Sequence, residues 1–136
     1  MLSSGEMAGG SQVGIVANPA SGKDVRRLVG AASVVDNNEK VNIVRRVMAG
    51  LVATGVRRVT YMPEHFDIVG RALDGLRLDL EADPIEMRVE GRPVDTLVAT
   101  DHLLAAGVDC IVTLGGDGTT RLVGARCGET REGQAS

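Results

Sequence analysis

The chain of 136 residues suits one compact domain and leaves little room for two, and its 43% apolar content is enough for a buried core. A formal net charge of −3 excludes the basic surface that nucleic acids or anionic membranes require. Tyr61 and Phe66 are the only aromatics, so there is no platform for stacking bases.

Thirteen of the fifteen cations are Arg, which makes Lys23 conspicuous. Cys110, within an apolar run, and Cys127 form neither a metal motif nor a disulfide framework, as expected of a reducing compartment. Residues 1–11 are small and polar without the apolar centre of a signal peptide; a disordered tail is expected there. No apolar stretch approaches the roughly eighteen residues that span a bilayer. A soluble, cytoplasmic protein is the expectation.

In chain order, residues 13–17 form an apolar run halted by Asn18-Pro19, a buried first strand and its exit loop. Asp36-Asn37-Asn38-Glu39 has the form of a capping box, so the first helix is expected to begin there. Val41, Val44, Val47, Met48, Leu51 and Val52 continue it at helical spacing until Gly55. Residues 56–62 read as a second strand closed by Pro63. Phe66, Val69, Leu73 and Leu76 mark a second helix. Ile85, Met87 and Val89 alternate as a third strand would, and Pro93 opens a helix carrying Val94, Leu97, Val98, Leu104 and Ala105. Gly107 stops that helix, residues 108–114 are the fourth strand, and a short last helix is expected from Thr119 or Thr120.

Strands alternating with helices require crossover connections. The expected fold is therefore α/β: a three-layer, Rossmann-like domain with a mainly parallel sheet of about four strands. Ligands of such sheets collect beyond the carboxyl ends of the strands. Two loops leave strands there, 18–23 and 115–119.

Gly115, Gly116 and Gly118 permit positive φ and close approach of a ligand, and successive N–H groups in such a turn form an anion cradle. A helix starting just beyond would add its dipole. Ordinary tight-turn chemistry is the plain alternative. Asp117 sits among phosphate-directed N–H groups, where a carboxylate needs its own task. It would deprotonate an attacking hydroxyl, help to hold Mg²⁺, or simply cap the next helix.

The loop Asn18-Pro19-Ala20-Ser21-Gly22-Lys23 fails the Walker A pattern, with Ala17 in place of its first Gly and Asp24 after Lys23. The second loop fails the dinucleotide pattern because Arg121 stands where its third Gly is needed. His65 and His102 have no ligand-spaced partners, no metal ligand is assigned, and no hydrolase triad or elbow is present.

Gly-Gly-Asp-Gly-Thr at 115–119 after the fourth strand, with the early Asn-Pro-Ala-Ser-Gly-Lys at 18–23, resembles the superfamily of NAD kinases, diacylglycerol and sphingosine kinases and 6-phosphofructokinases. The stretches 18–24 and 36–42 are similar, more narrowly, to the acetoin-catabolism branch of the ATP-NAD kinase family. The resemblance runs from Val13 to about Cys127. It implies ATP- and Mg²⁺-dependent phosphorylation of a hydroxyl, of the type that converts NAD to NADP.

By that resemblance Asp117 is the catalytic base. Gly115, Gly116, Gly118 and Thr119 shape the nucleotide site, and Asn18, Ser21, Gly22 and Lys23 meet phosphate. The acceptor is NAD or a related nucleotide. Members of the family continue into a second, mainly β domain. The expectation here is a tail at 1–11, the family's N-terminal domain at 12–127 and a polar tail at 128–136. Such a chain is weakly active or inactive alone, and a homo-oligomer or a separately encoded second domain would be its partner. The alternatives are a non-catalytic nucleotide-binding module linked to acetoin catabolism and a lipid- or sphingoid-kinase-like domain.

Overall fold

A computed structural model describes residues 12–19 and 31–135, without the side chains of residues 31–36, 117 and 129–135. The expected tail at 1–11, and the loop residues Ser21, Gly22 and Lys23, lie outside the described residues.

The elements in chain order are β1 (Gln12–Ala17), α1 (Ala31–Ala53), β2 (Arg58–Tyr61), α2 (Ile68–Leu73), β3 (Glu81–Pro84), α3 (Val94–Ala106), β4 (Cys110–Leu114) and α4 (Asp117–Ala135). The sheet has the order β3-β2-β1-β4 and every pair is parallel. The expected α/β, Rossmann-like architecture is therefore what the chain adopts.

Central β1 is buried on both faces, as its unbroken apolar run requires. Val13, Ile15 and Ala17 pack with Val41, Val44 and Met48 of α1 and with Ile68, Val69 and Ala72 of α2. On the opposite face Val16 packs with Ala99 and Leu103 of α3 and Val123 of α4. Gly14 makes the second contact close: a Cβ there would lie 2.8 Å from Leu103 Cδ1, so α3 settles directly on the strand backbone. At the other end of α3, Gly107 takes φ 77° and its N–H bonds back to Leu103 and Leu104, which stops the helix as expected.

Three boundaries differ from the sequence expectation. Helix α1 is already running at Ala31, so Asp36–Glu39 lies inside it and is not its cap. Strand β3 pairs through residues 81–84, whereas the alternation at 85–89 suggested a strand there. Ile85 is buried and its N–H still reaches Tyr61 O at 2.8 Å. Beyond it, β2 has ended and 86–89 have no strand to pair with, so alternation reports burial there without a ladder. Pro84 is compatible with β3 because this strand is an edge. Finally, α4 runs to Ala135, through the segment expected as a polar tail. Among the residues whose side chains are described, the last one packed on the core is Cys127.

Candidate functional site

The chain leaves β1 for β2 and β3 on one side and places β4 on the other, so the strand order reverses between β1 and β4. A crevice between the two exit loops is the geometric consequence. Register sets it closely: Ala17 pairs with Leu114, and the Asn18 N–H donates to Leu114 O at 2.8 Å. Asn18 and Gly115 therefore leave the sheet side by side.

The Asn18 side chain holds the crevice together. Its Nδ2 donates to Thr96 Oγ1 at 2.8 Å and to Thr119 Oγ1 at 2.9 Å. Thr96 is the third residue of α3 and Thr119 the third of α4. Two helix N-termini thus converge on the end of β1, and both bring the positive ends of their dipoles. Thr96 and Thr119 are buried, and Thr100 donates its hydroxyl to Thr96 O at 2.7 Å, one turn further along α3. The neighbouring Asp95 accepts from Glu90 N and Gly91 N, which anchors the loop that feeds α3 into the crevice.

Around 115–119 the glycines work differently from the expectation. Neither Gly115 nor Gly116 nor Gly118 has positive φ. At Gly115 the reason is contact: a Cβ would lie 2.8 Å from Thr119 Oγ1, displacing the hydroxyl that Asn18 holds. At Gly116 and Gly118 no described residue has an atom within 4 Å of a Cβ position, so among the described residues the backbone there is open. The Gly116 carbonyl accepts from Thr119 N and Thr120 N, which starts α4. The N–H groups of the first turn preceding Thr119 have no intrahelical acceptor. Asp117 is the first residue of α4, with its side chain outside the described set.

Of the residues singled out in the sequence, the fold brings together Asn18, Gly115, Gly116, Gly118 and Thr119, with the backbone of Asp117. Thr96 was missed, although Pro93 as a helix-start signal already put it in a first turn. Lys40 was missed too: its Nζ donates to Asn18 O at 2.8 Å. The scarcity of Lys that drew attention to Lys23 applied equally to it. Among the described residues no group of three or more His, Cys, Asp or Glu could hold a metal ion, and no helix is long and apolar enough to cross a membrane. An open groove of about 420 Å³ lies on α1, lined by Glu39, Asn42, Arg45, Arg46, Ala49 and Leu76, and contains none of the crevice residues.

A four-stranded parallel sheet whose switch point carries Asn18 and a Gly-Gly-Asp-Gly-Thr helix start makes this a Rossmann-like domain. The profile of the ATP-NAD kinase N-terminal domain matches residues 13–131, and the chain belongs to that family. It is 38% identical over 131 residues to the acetoin catabolism protein X of Cupriavidus necator, a match covering 85% of this chain. The chain spans 34% of that relative's length. No solved structure matches it significantly.

Proposed function

We propose that this chain is the nucleotide-binding domain of an ATP-dependent, NAD kinase-like phosphotransferase of the cytoplasm, with NAD or a related nucleotide as phosphate acceptor. The observation that carries the reading is the Asn18 amide joining the first turns of α3 and α4 at the switch point, beside 115–119. Polyphosphate fits there on physical grounds. The open backbone at Gly116 and Gly118 lets an anion approach first-turn N–H groups, and two dipole ends favour its charge.

In this reading Asn18, with Thr96 and Thr119, keeps the two helix starts in one fixed geometry, so little reorganisation accompanies phosphate binding. Asp117, at the head of α4, takes the proton from the acceptor hydroxyl. Ser21, Gly22 and Lys23 extend the phosphate contacts from the first loop. Mg²⁺, when bound, neutralises charge on the transferring phosphoryl group.

Calorimetry with ATP and NAD tests binding: both are expected to bind, and Gly116→Val is expected to abolish it. No binding at millimolar ligand overturns the reading. A second reading is a non-catalytic nucleotide-binding module. NADP formation with ATP and Mg²⁺ separates the two. Little or none is expected from this chain alone, and turnover lost in Asp117→Asn would make it a complete kinase.

A further inference from the structure

The sheet has two edges, and only one of them is guarded. An edge strand offers a row of unpaired backbone groups to any other strand, and proteins blunt such edges with charge or proline. Strand β3 does both, with exposed Glu81, Asp83 and Pro84. Strand β4 does neither: Cys110-Ile111-Val112-Thr113-Leu114 carries no charge and no Pro. Among the described residues it pairs with β1 alone. Cys110 is exposed and the rest of β4 only half-buried, whereas β1 beside it is buried from Val13 to Ala17.

The backbone of β4 fixes what the open side presents. Leu114 O is taken on the β1 side, where it accepts from Asn18 N–H at 2.8 Å. Backbone groups alternate in direction along a strand, so Val112 and Leu114 address β1 while Ile111 and Thr113 turn N–H and C=O outward. The side chains carry both cores to this edge: Val112 and Leu114 pack with the cluster under α1 and α2, and Ile111 with the cluster under α3 and α4. Its occupant therefore has to be an extended segment that is apolar on both faces.

Strand β4 itself meets that description. A second copy turned antiparallel about a two-fold axis at Val112 sets Val112 opposite the partner's Val112, and Ile111 opposite the partner's Thr113. The outward groups of Ile111 and Thr113 then exchange both of their N–H···O=C bonds across the junction. Residues directly opposite share a face, so each apolar layer meets the same layer of the partner. The paired residues bear no charge, so no like charges are opposed. Strand β3 fails as a self-pairing edge, because two copies would set Glu81 and Asp83 against carboxylates.

We propose that β4 is the contact edge of a homodimer in which two chains join their sheets into one across a two-fold axis. The two β4 strands point in opposite directions there, so the 115–119 loops lie at opposite ends and both crevices stay open. The proposal therefore stands apart from the nucleotide site.

Sedimentation equilibrium at micromolar protein reads the mass, and the full chain is expected at twice 14.2 kDa. Thr113→Pro deletes an outward N–H and no bond to β1, and is expected to weaken dimerisation about tenfold or more. Thr113→Val keeps the N–H and is expected to stay within about twofold of the parent. A chain that is monomeric at every concentration overturns the proposal, as does one that associates only with a strand from a different protein. A dimer as tight in Thr113→Pro as in the parent also overturns it, because the contact then lies elsewhere.

Cross-linking reads the register on an edge with all its backbone groups. With Cys110→Ser and Cys127→Ser as background, Val112→Cys brings two thiols face to face at a non-hydrogen-bonded pair, where Cα atoms stand about 4.5 Å apart. Mild oxidation is expected to give a disulfide-linked dimer far faster than in the parent, whose Cys110 lies two positions from the axis. Equal rates in the two proteins overturn the antiparallel pairing.

Discussion

The carboxyl edge of the sheet has two mouths of opposite character. Between β1 and β4, Asn18, Thr96 and Thr119 present amide and hydroxyl groups with Lys40 alongside. At the ends of β2 and β3, Tyr61 is surrounded by Glu64, Asp67 and Asp83. Burial first, then the charges of Asp67, Asp83 and Glu64, raise the Tyr61 pKa above its ordinary 10.0. Both mouths lie where parallel sheets gather ligands, yet the carboxylates at the second would repel the anion proposed for the first. Topology offers two places, and charge chooses between them.

Backbone conformation differs in the same sense. The first mouth is made by helix starts whose glycines are unstrained. The second contains Asp67 at φ 61°, a left-handed conformation costly for a residue with Cβ. It is held by Glu64, whose Oε1 accepts from Asp67 N at 2.9 Å and Oε2 from Ile68 N at 2.8 Å. Glu64 thereby caps α2 while its burial raises its pKa above 4.5, an effect that hydrogen bonds from the backbone of Ile68, Asp67 and Phe66 partly offset.

Substitutions that damage the first mouth should have the largest effects. Gly115→Ala drives a Cβ against Thr119 Oγ1 and is expected to destabilise by about 1–3 kcal/mol while abolishing nucleotide binding. Gly116→Ala meets no atom of the described residues within 4 Å and should leave the midpoint of urea unfolding nearly unchanged while weakening binding. Equal stability of the two variants would show that Gly115 is not packed as described. Asn18→Ala removes the donor shared by Thr96 and Thr119, and a loss of about 1–2 kcal/mol is expected in the same assay.

The second mouth should answer to pH instead. Glu64 has a raised pKa, so the folded state binds more protons than the unfolded state and this group's contribution falls as pH rises. That contribution is complete below pH 4.5 and is lost as pH passes through the raised folded value. Glu64→Gln should remove this part of the slope, so the parent-minus-variant difference in Tm declines across that window. A difference independent of pH would break the claim. The smallest effect belongs to Asp67→Asn, which removes the second cause of the Tyr61 shift. Because Tyr61 is the only tyrosine, phenolate absorbance reports it alone, and its pKa should move down towards 10.0 without reaching it.

Much of the architecture was legible in the linear pattern. The apolar run of β1, the helical spacing of Val41, Val44 and Met48, and the stop at Gly107 each reflect interactions within a few residues. Where pairing with a distant strand decided the outcome, local pattern failed. Strand β3 sits at 81–84, among Glu81, Asp83 and Pro84, because Arg58 to Tyr61 offered partners there. The capping signature at 36–39 described a helix start that the fold does not use.

The candidate site divides along the same line. By itself the sequence determined the two loops, since glycines, Asn18 and an acid at fixed spacing are chain-local chemistry, and the strand before each loop fixes its end of the sheet. Only the tertiary structure decided that Asn18 meets Thr96 and Thr119, 78 and 101 residues away, and that Lys40 leans on its carbonyl. Those contacts depend on strand order and register, set when β4 docks beside β1, and no local spacing encodes them. The glycine loop marks where phosphate would sit, but the polar frame around it exists only in the folded chain.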